Sequence, residues 1–329
     1  METKTLAKAN RVQDTTVRPG NPWVYRLALA LAGATLLTIL IGGSVTTMGA
    51  GDSDPSWSLR FWDWFRSWSQ MPGGQIYEIS HRQIGTIVGL IALAFIIVLW
   101  RSERRRWVKY LGLSVLGAVI LQGLLGGLRV LTVSDPNVQQ RVLGISGLAD
   151  ALSARLASAI VHAGLAQIVF AMTVVIAVVT SSRWSQIIQM PALPGVRKIR
   201  RLGVIAASGT LIEMILGAFV RHGSKVVTEH IVGALLVSSL CVLLALRAMA
   251  VAAEVPLLRR PAHTLGMIVQ LQLFLGVASL MIDSLSTIAP TLHVVGGAGT
   301  LAATLILTAR AYGIRVPDQA PAIAEAEPA

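Results

Sequence analysis

The chain has 329 residues, of which 54% are hydrophobic and 13% are charged, and its mean hydropathy is +0.67. Soluble proteins have about 25% charged residues, so this composition excludes an ordinary soluble domain and predicts an all-α integral membrane protein. The net charge of +12 does not indicate a nucleic-acid partner, because the basic residues are concentrated between long apolar segments. The single cysteine, Cys241, excludes an internal disulfide and a thiolate cluster.

Eight apolar segments are long enough, or nearly so, to cross a bilayer, which needs about 20 residues per helix. In chain order they lie at residues 27–48, 79–100, 108–128, 156–180, 202–220, 228–246, 264–282 and 287–309. Of the 28 Lys and Arg residues, 20 lie on one side of an eight-span arrangement. Because positive residues are enriched in cytoplasmic loops, we expect a multi-pass protein of the cytoplasmic (inner) membrane with both termini in the cytoplasm.

The apolar segments are organised as a repeated helical hairpin. Each odd-numbered segment ends in a related motif that contains a glycine: Gly42, Gly126, Gly217 and Gly276. Each following segment opens with a histidine: His81, His162, His230 and His293. Two hairpins make one four-helix bundle. The predicted fold is therefore eight transmembrane helices arranged as two four-helix bundles that are related by a pseudo-twofold axis.

This repeat divides the chain into five parts. They are a cytoplasmic N-terminal segment at residues 1–26, a first four-helix half at 27–182, a basic cytoplasmic linker at 183–201, a second four-helix half at 202–312 and a C-terminal tail at 313–329. We expect the tail to be disordered, because it is rich in Pro, Ala and Glu.

The four histidines are the most informative residues of the chain. An imidazole inside a membrane is costly and usually functional, and four at one depth on alternate helices predict two axial-ligand pairs that hold two haems. Zinc or copper fits less well, because their ligands usually cluster at short spacing or include Cys and carboxylates. Glycines near the histidines are expected to let a flat porphyrin approach the backbone, or to serve ordinary helix packing: Gly85, Gly89, Gly164, Gly233 and Gly296.

The outer loops predict that the two halves differ. The loops before His81 and His162 run from about 49 to 78 and from about 130 to 155, whereas those at 221–227 and 283–286 are only a few residues long. Long loops usually carry function or disorder, so the first half is expected to bind an exchangeable ligand and the second half a fixed cofactor. Aromatic residues of the first loop are expected at the membrane interface: Trp57, Trp62, Trp64 and Trp68.

Glu78 lies three residues before His81, so both side chains are predicted to project from one helix face. It is either a reactive carboxylate or a favourable charge at a helix N-terminus. The corresponding residue of the second half is Val227, and no carboxylate is expected beside His230 and His293.

Other polar residues near the ends of the spans have two interpretations each. Three outer arginines are candidates for pairing with haem propionates, and contact with lipid headgroups is the alternative: Arg82, Arg129 and Arg221. Gln122, Glu213 and Gln272 are expected to form hydrogen bonds between helices, although Glu213 could instead relay protons.

Four segments resemble the heme A synthase family, over roughly residues 25–312. They read GGSVTTMGAG from Gly42, YEISHR from Tyr77, LQGLLGGLR from Leu121 and LGAFVRH from Leu216. The Glu-x-x-His-Arg opening of the second apolar segment is fairly specific in this context. The first outer loop departs from the family, because it reads DPSW from Asp54 where many members have Pro-Asp-Trp-Pro, and the chain lacks the loop cysteine pair of some members.

The resemblance implies a membrane oxidoreductase that converts haem O to haem A for terminal oxidases, by oxidising one porphyrin methyl to a formyl through successive hydroxylations. It implies that His81 and His162 face the substrate haem, that His230 and His293 ligate a haem b cofactor, and that Glu78 is the catalytic carboxylate. The partners it implies are haem O, the haem O-forming farnesyltransferase, the terminal oxidase and other copies of the chain in a homo-oligomer, all within membrane lipid.

Two other functions remain open on the residues alone. A dihaem b-type electron-transfer protein would use all four histidines only to conduct electrons, but Glu78 and the unequal loops count against it. A secondary transporter would account for the internal repeat. Transporters are expected to have polar residues at the membrane midplane, whereas those of this chain are predicted near the outer side, which counts against this function.

Overall fold

The computed structural model describes residues 21–54, 71, 73–251 and 255–316. This part of the chain is all-α. Its α-helices are α1 (Pro22–Thr47), α2 (Gly73–Ser102), α3 (Arg106–Ser134), α4 (Pro136–Ser146), α5 (Ala151–Thr180), α6 (Ser182–Ile188), α7 (Val196–Arg221), α8 (Val227–Val251), α9 (Pro256–Met281) and α10 (Ala289–Gly313). A 3₁₀ turn at Asp283–Leu285 joins α9 to α10. The four tryptophans of the first outer loop and most of both terminal segments lie outside the described residues.

Eight of the described helices are long and apolar enough to cross a membrane: α1, α2, α3, α5, α7, α8, α9 and α10. They confirm the prediction of an eight-span, all-α membrane protein. Each coincides with a predicted apolar segment, extended at one or both ends. Polar caps explain two of the extensions, because the Asn21 side chain accepts a hydrogen bond from the Trp23 amide (3.0 Å) and Asp150 accepts one from the Ser153 amide (2.7 Å).

The expected outer loop at 130–155 is mostly helical, which corrects the sequence-based prediction. α3 continues to Ser134, and α4 follows after a single residue, Asp135. The Asp135 carboxylate caps α4 by accepting from the Asn137 amide (2.8 Å), and Pro136 suits the first helical position. Gly147, at φ 67°, ends the helix in the left-handed conformation that glycine adopts readily. No residue of α4 is buried, so no apolar pattern revealed it.

The spanning helices pack as two groups of four. In the first group α1 contacts α2 and α5, and α3 contacts α2 and α5. In the second group α7 contacts α8 and α10, and α9 contacts α8 and α10. The groups meet where α1 and α5 contact α10 and where α5 contacts α7. The neighbour relations of the first group thus recur in the second, while a pseudo-twofold axis between the groups stays a prediction.

Each group has its own apolar core, and a third cluster joins them. Leu31, Phe95 and Leu99 are buried in the first group, and Leu244 and Leu307 in the second. The joining cluster consists of buried side chains from α1, α5 and α10: Ile39, Phe170, Val174 and Ala298. The outward faces carry exposed leucines and isoleucines, which is the arrangement that lipid contact requires.

Candidate functional site

The structure brings the four predicted histidines together as two pairs. His81 on α2 and His162 on α5 have ring centroids 6.3 Å apart with ring planes at 78°. His230 on α8 and His293 on α10 have centroids 6.2 Å apart with planes at 87°. Two imidazoles on opposite sides of one metal atom, each with a bond of about 2 Å, have centroids about 6 Å apart. Two aromatic rings in direct edge-to-face contact also have centroids about 4.5–7 Å apart. The distance alone therefore does not distinguish a metal site from direct ring contact, and the surroundings of the rings must do so.

Every one of these imidazoles lies against the motif glycine of the preceding spanning helix. A Cβ at Gly42 would lie 2.8 Å from His81 Cε1, and one at Gly126 would lie 3.1 Å from His162 Cε1. The corresponding distance is 3.0 Å both from Gly217 to His230 and from Gly276 to His293. The separation at Gly42 is shorter than real Cβ contacts, and the other three are tighter than most, so a side chain at these positions would require the ring to shift. The motif glycines therefore let the rings lie close to the neighbouring backbone.

The glycines on the histidine helices themselves have other surroundings. Nothing lies within 4 Å of a Cβ at Gly85 or Gly89, and at Gly164 the nearest atom is Ile215 Cγ1 at 3.6 Å. Gly233 instead faces the Glu213 carboxylate, and Gly296 faces the Gln272 side-chain amide. The expected approach of a porphyrin to these positions remains a prediction, whereas the packing role of the motif glycines was not foreseen.

Backbone carbonyls fix the tautomer of one histidine in each pair. His81 Nδ1 lies 3.1 Å from the Thr38 carbonyl oxygen, and His293 Nδ1 lies 3.2 Å from the Gln272 carbonyl oxygen. A carbonyl oxygen can only accept, so Nδ1 carries the proton and Nε2 keeps a lone pair. This second-shell contact is the usual one for metal-binding histidines. Both Nε2 atoms are therefore suitable metal ligands.

Glutamine side chains on two of the helices that carry motif glycines, α3 and α9, also contact the rings. The Gln122 amide nitrogen lies 3.3 Å from His162 Nε2, and the Gln272 amide nitrogen lies 3.4 Å from His293 Nε2. His162 Nδ1 has no hydrogen-bond partner among the described residues. These amides confirm the expectation of contacts between helices.

A carboxylate lies beside the second pair, contrary to the sequence-based expectation. Glu213 Oε1 is 2.5 Å from His230 Nδ1. Both groups are at contact distance, although the angles at the ring fall outside those of a well-aligned hydrogen bond. Glu213 belongs to α7, so the search for carboxylates on the histidine helix alone, which found Val227, missed it.

Glu78 is buried at 3% exposure and has a partner for each of its carboxylate oxygens. Oε1 accepts from Arg82 Nη2 at 2.7 Å, and Oε2 accepts from the Asp54 amide at 2.9 Å. Arg82 also donates to the Asp54 carbonyl oxygen at 2.8 Å. Glu78 is therefore a fixed, charge-paired carboxylate that joins α2 to the start of the first outer loop. The contact with Asp54 had no signal in the sequence analysis.

The other candidate arginines also contact protein groups, at the C-terminal end of α1 and in the residues that follow it. Arg129 donates to the Gly51 carbonyl oxygen at 2.8 Å and lies 3.6 Å from the Asp52 carboxylate, which also pairs with Arg155. Arg221 crosses between the two groups and donates to the Gly43 carbonyl oxygen and the Thr47 hydroxyl, both at 2.6 Å.

Arginines of both helix groups therefore lie at this end of the bundle, where Asp52 and Glu78 pair with some of them. His222, at the end of α7, has its pKa lowered by burial and by the nearby charges of Arg221, Arg129 and Arg155. The contacts of these arginines do not test their proposed pairing with propionates.

The donor set is that of two bis-histidine sites. No three His, Cys, Asp or Glu side chains in the described part of the chain come together as a metal cluster. A metal held by only two imidazoles needs its remaining ligands from elsewhere, and a porphyrin supplies four in one plane. The lone pairs on Nε2 of His81 and His293 and the close glycine neighbours of the rings fit such a group.

These features define a helical multi-pass membrane protein with two bis-histidine sites, one in each group of four helices. The chain belongs to the COX15-CtaA family of cytochrome oxidase assembly proteins, the heme A synthase family, whose family model matches residues 25–229. The resemblance seen in the sequence is thus confirmed. No curated protein matches the chain significantly. The matched range includes Glu78, His81 and His162 and ends directly before His230.

Proposed function

We propose that the protein is a heme A synthase, which converts haem O to haem A by oxidising a porphyrin methyl to a formyl through successive hydroxylations. The family supplies the coarser role, cytochrome oxidase assembly. The observation that best supports the reaction is Glu78, a buried carboxylate on the same helix as His81 and held by Arg82 and the Asp54 amide. The two sites differ in their carboxylates, because both oxygens of Glu78 are held by Arg82 and the Asp54 amide, whereas Glu213 of the second site contacts His230 itself.

The residues fit two haems in different roles. In this proposal His81 and His162 face the substrate haem O in the first half, residues 27–182. His230 and His293 hold haem b permanently in the second half, residues 202–312, where the outer connections are short. The bound haem supplies the redox chemistry, and the chain's own residues bind it, orient it and exclude water.

Glu78 has the chemical role in this proposal. A carboxylate whose position is already fixed can stabilise positive charge that develops on the oxidised methyl carbon, without reorganisation during the reaction. It can alternatively accept a proton from an attacking water as a general base. Arg82 and the Asp54 amide are positioning groups that keep its two oxygens in place. Arg82, Arg129 and Arg221 are proposed to pair with the haem propionates.

The proposal places the protein in the cytoplasmic membrane with both termini in the cytoplasm. The charge asymmetry of the loops supports this orientation. The proposed partners are the farnesyltransferase that forms haem O, the terminal oxidase that receives haem A, and further copies of the chain.

A dihaem b-type electron-transfer protein is the second candidate, because the two pairs are nearly identical in ring distance and angle. Extraction of the pigments after co-expression with a haem O-forming farnesyltransferase separates the candidates. Haem A or hydroxylated intermediates support the synthase, whereas haem b alone supports the electron carrier. A purified protein without any pigment would contradict both the synthase and the electron carrier and would favour a secondary transporter.

A further inference from the structure

The contact between Glu213 and His230 is a feature of the second site that the proposed reaction does not use. Four residues before each motif glycine, the odd-numbered spanning helices carry a residue that contacts the paired histidine: Thr38, Gln122, Glu213 and Gln272. Only Glu213 has a side chain that can carry charge. The four repeats therefore differ in charge at this position, and the charged residue, Glu213, contacts the predicted haem ligand His230.

The position of the carboxylate is closely defined. Glu213 is 9% exposed, and a Cβ at Gly233 on α8 would collide with its second oxygen. Among the described residues, the ion-pair partner of Glu213 is His230, with 2.5 Å between Oε1 and Nδ1. Neither atom has a hydrogen-bond partner in the described part of the chain, so their 2.5 Å contact is an ion-pair contact rather than an aligned hydrogen bond. The absence of Cβ at residue 233 therefore gives the carboxylate its place beside the ring.

We propose that Glu213 is a positioning residue that keeps the His230 proton on Nδ1 and strengthens Nε2 as an electron donor to the haem iron. This inference rests on the proposed assignment of His230 and His293 to haem b. A carboxylate 2.5 Å from Nδ1 attracts the proton on that nitrogen and raises the electron density of the imidazole ring. Second-shell carboxylates act on metal-bound histidines in this way.

The expected consequence is a lower midpoint potential for haem b, because a more anionic ligand stabilises ferric over ferrous iron. His293 receives a neutral carbonyl at its Nδ1 instead. The two histidines of the second site therefore differ in their surroundings, and Glu213 would set the potential of a haem that they hold. A tenfold change in the preference for ferric iron corresponds to ~59 mV in a one-electron couple.

The test compares Glu213→Gln with Glu229→Gln in the full-length, haem-loaded protein. Glutamine has the shape of glutamate, and it already occupies the equivalent position on α3 and α9. Glu229 is the matched control, because it directly precedes His230 but is exposed. The measurement is a spectroelectrochemical titration of the low-spin haem b, with the ratio of haem b to protein measured on each sample.

We expect a higher midpoint potential in Glu213→Gln, of the order of the tenfold change, and no shift in Glu229→Gln. An unchanged potential in Glu213→Gln, or an equal shift in both variants, would overturn the inference. If Glu213→Gln does not retain haem b, the same titration on Glu213→Asp provides the test. A retained haem b with a raised potential supports the inference, whereas an unshifted potential or loss of haem b contradicts it.

Haem A formed by the wild-type protein in the same cells tests the proposed function separately. If the potential shifts but haem A is absent, the role of Glu213 stands and the synthase activity fails.

Discussion

Replacing Gly217 by alanine is expected to weaken the second histidine site. A Cβ there would lie 3.0 Å from His230 Cε1 and 3.6 Å from each ring nitrogen. The ring has little freedom to move away, because Glu213 Oε1 already lies 2.5 Å from its Nδ1. The added methyl group must therefore displace the imidazole or separate α7 from α8.

The expected magnitude follows from two opposing effects. Overpacking of this kind costs about 1–3 kcal/mol, whereas the exchange of glycine for alanine in a helix stabilises by about 0.8–1 kcal/mol. The net loss is up to about 2 kcal/mol. Haem b affinity should then fall by up to about 30-fold, since about 1.4 kcal/mol corresponds to a factor of ten.

Haem b affinity and the haem b content of the purified variant provide the assay. Gly266→Ala in α9 is the control, because nothing lies within 4 Å of a Cβ at that position. The control should keep the wild-type haem content. Wild-type affinity and content in Gly217→Ala would refute the conclusion that the motif glycine is needed to seat the imidazole.

Two further predictions concern the cofactor and the topology. His230→Ala or His293→Ala should remove most low-spin haem b from the purified protein, because each would remove one of the two proposed haem ligands, and a complete b-type spectrum in both variants would reject the assignment. Reporter fusions after Ala329 and within residues 130–150 should report opposite sides of the membrane, because the basic loops predict cytoplasmic termini; the same side for both would contradict the eight-span topology.

The eight spans could be predicted because each is a long apolar segment, whereas their ends could not. A helix continues past the apolar part until a cap or a turn ends it, as Asn21 and Asp150 show. α4 has no buried residue and was missed. Its signals were Asp135-Pro136 at the start and Gly147 at the end, which predict a helix by capping rather than by hydropathy.

The histidine pairs were accessible from the sequence because four equivalent residues occur at equivalent places in a repeat. Their immediate neighbours were not, since which residues face each other depends on the register between two helices. The repeat did contain a usable signal. Gly217 and Glu213 are four residues apart, as are Gly126 and Gln122, and both members of each set contact the histidine of the next spanning helix.

Glu78 also shows that contacts between separate segments cannot be predicted from local sequence spacing. Its relation to His81 came from the spacing within one helix, but its partner Asp54 lies in the preceding loop, and no local pattern predicts that contact. The structure adds that both carboxylate oxygens are held in place.

The most direct test of the synthase proposal is haem A formation by Glu78→Gln, in cells that also express a haem O-forming farnesyltransferase. This substitution keeps the shape of the side chain and removes its charge. The variant should retain haem b through His230 and His293, which shows that the fold is intact. Haem A should fall by about 10²–10⁴-fold, the usual contribution of a general base, while haem O or its hydroxylated intermediate accumulates. Near-normal haem A from Glu78→Gln would contradict the catalytic role of Glu78, because the carboxylate would then serve only to hold Arg82 and Asp54 in place. Absence of haem A and of its hydroxylated intermediate from the wild-type protein in the same cells would contradict the synthase proposal itself.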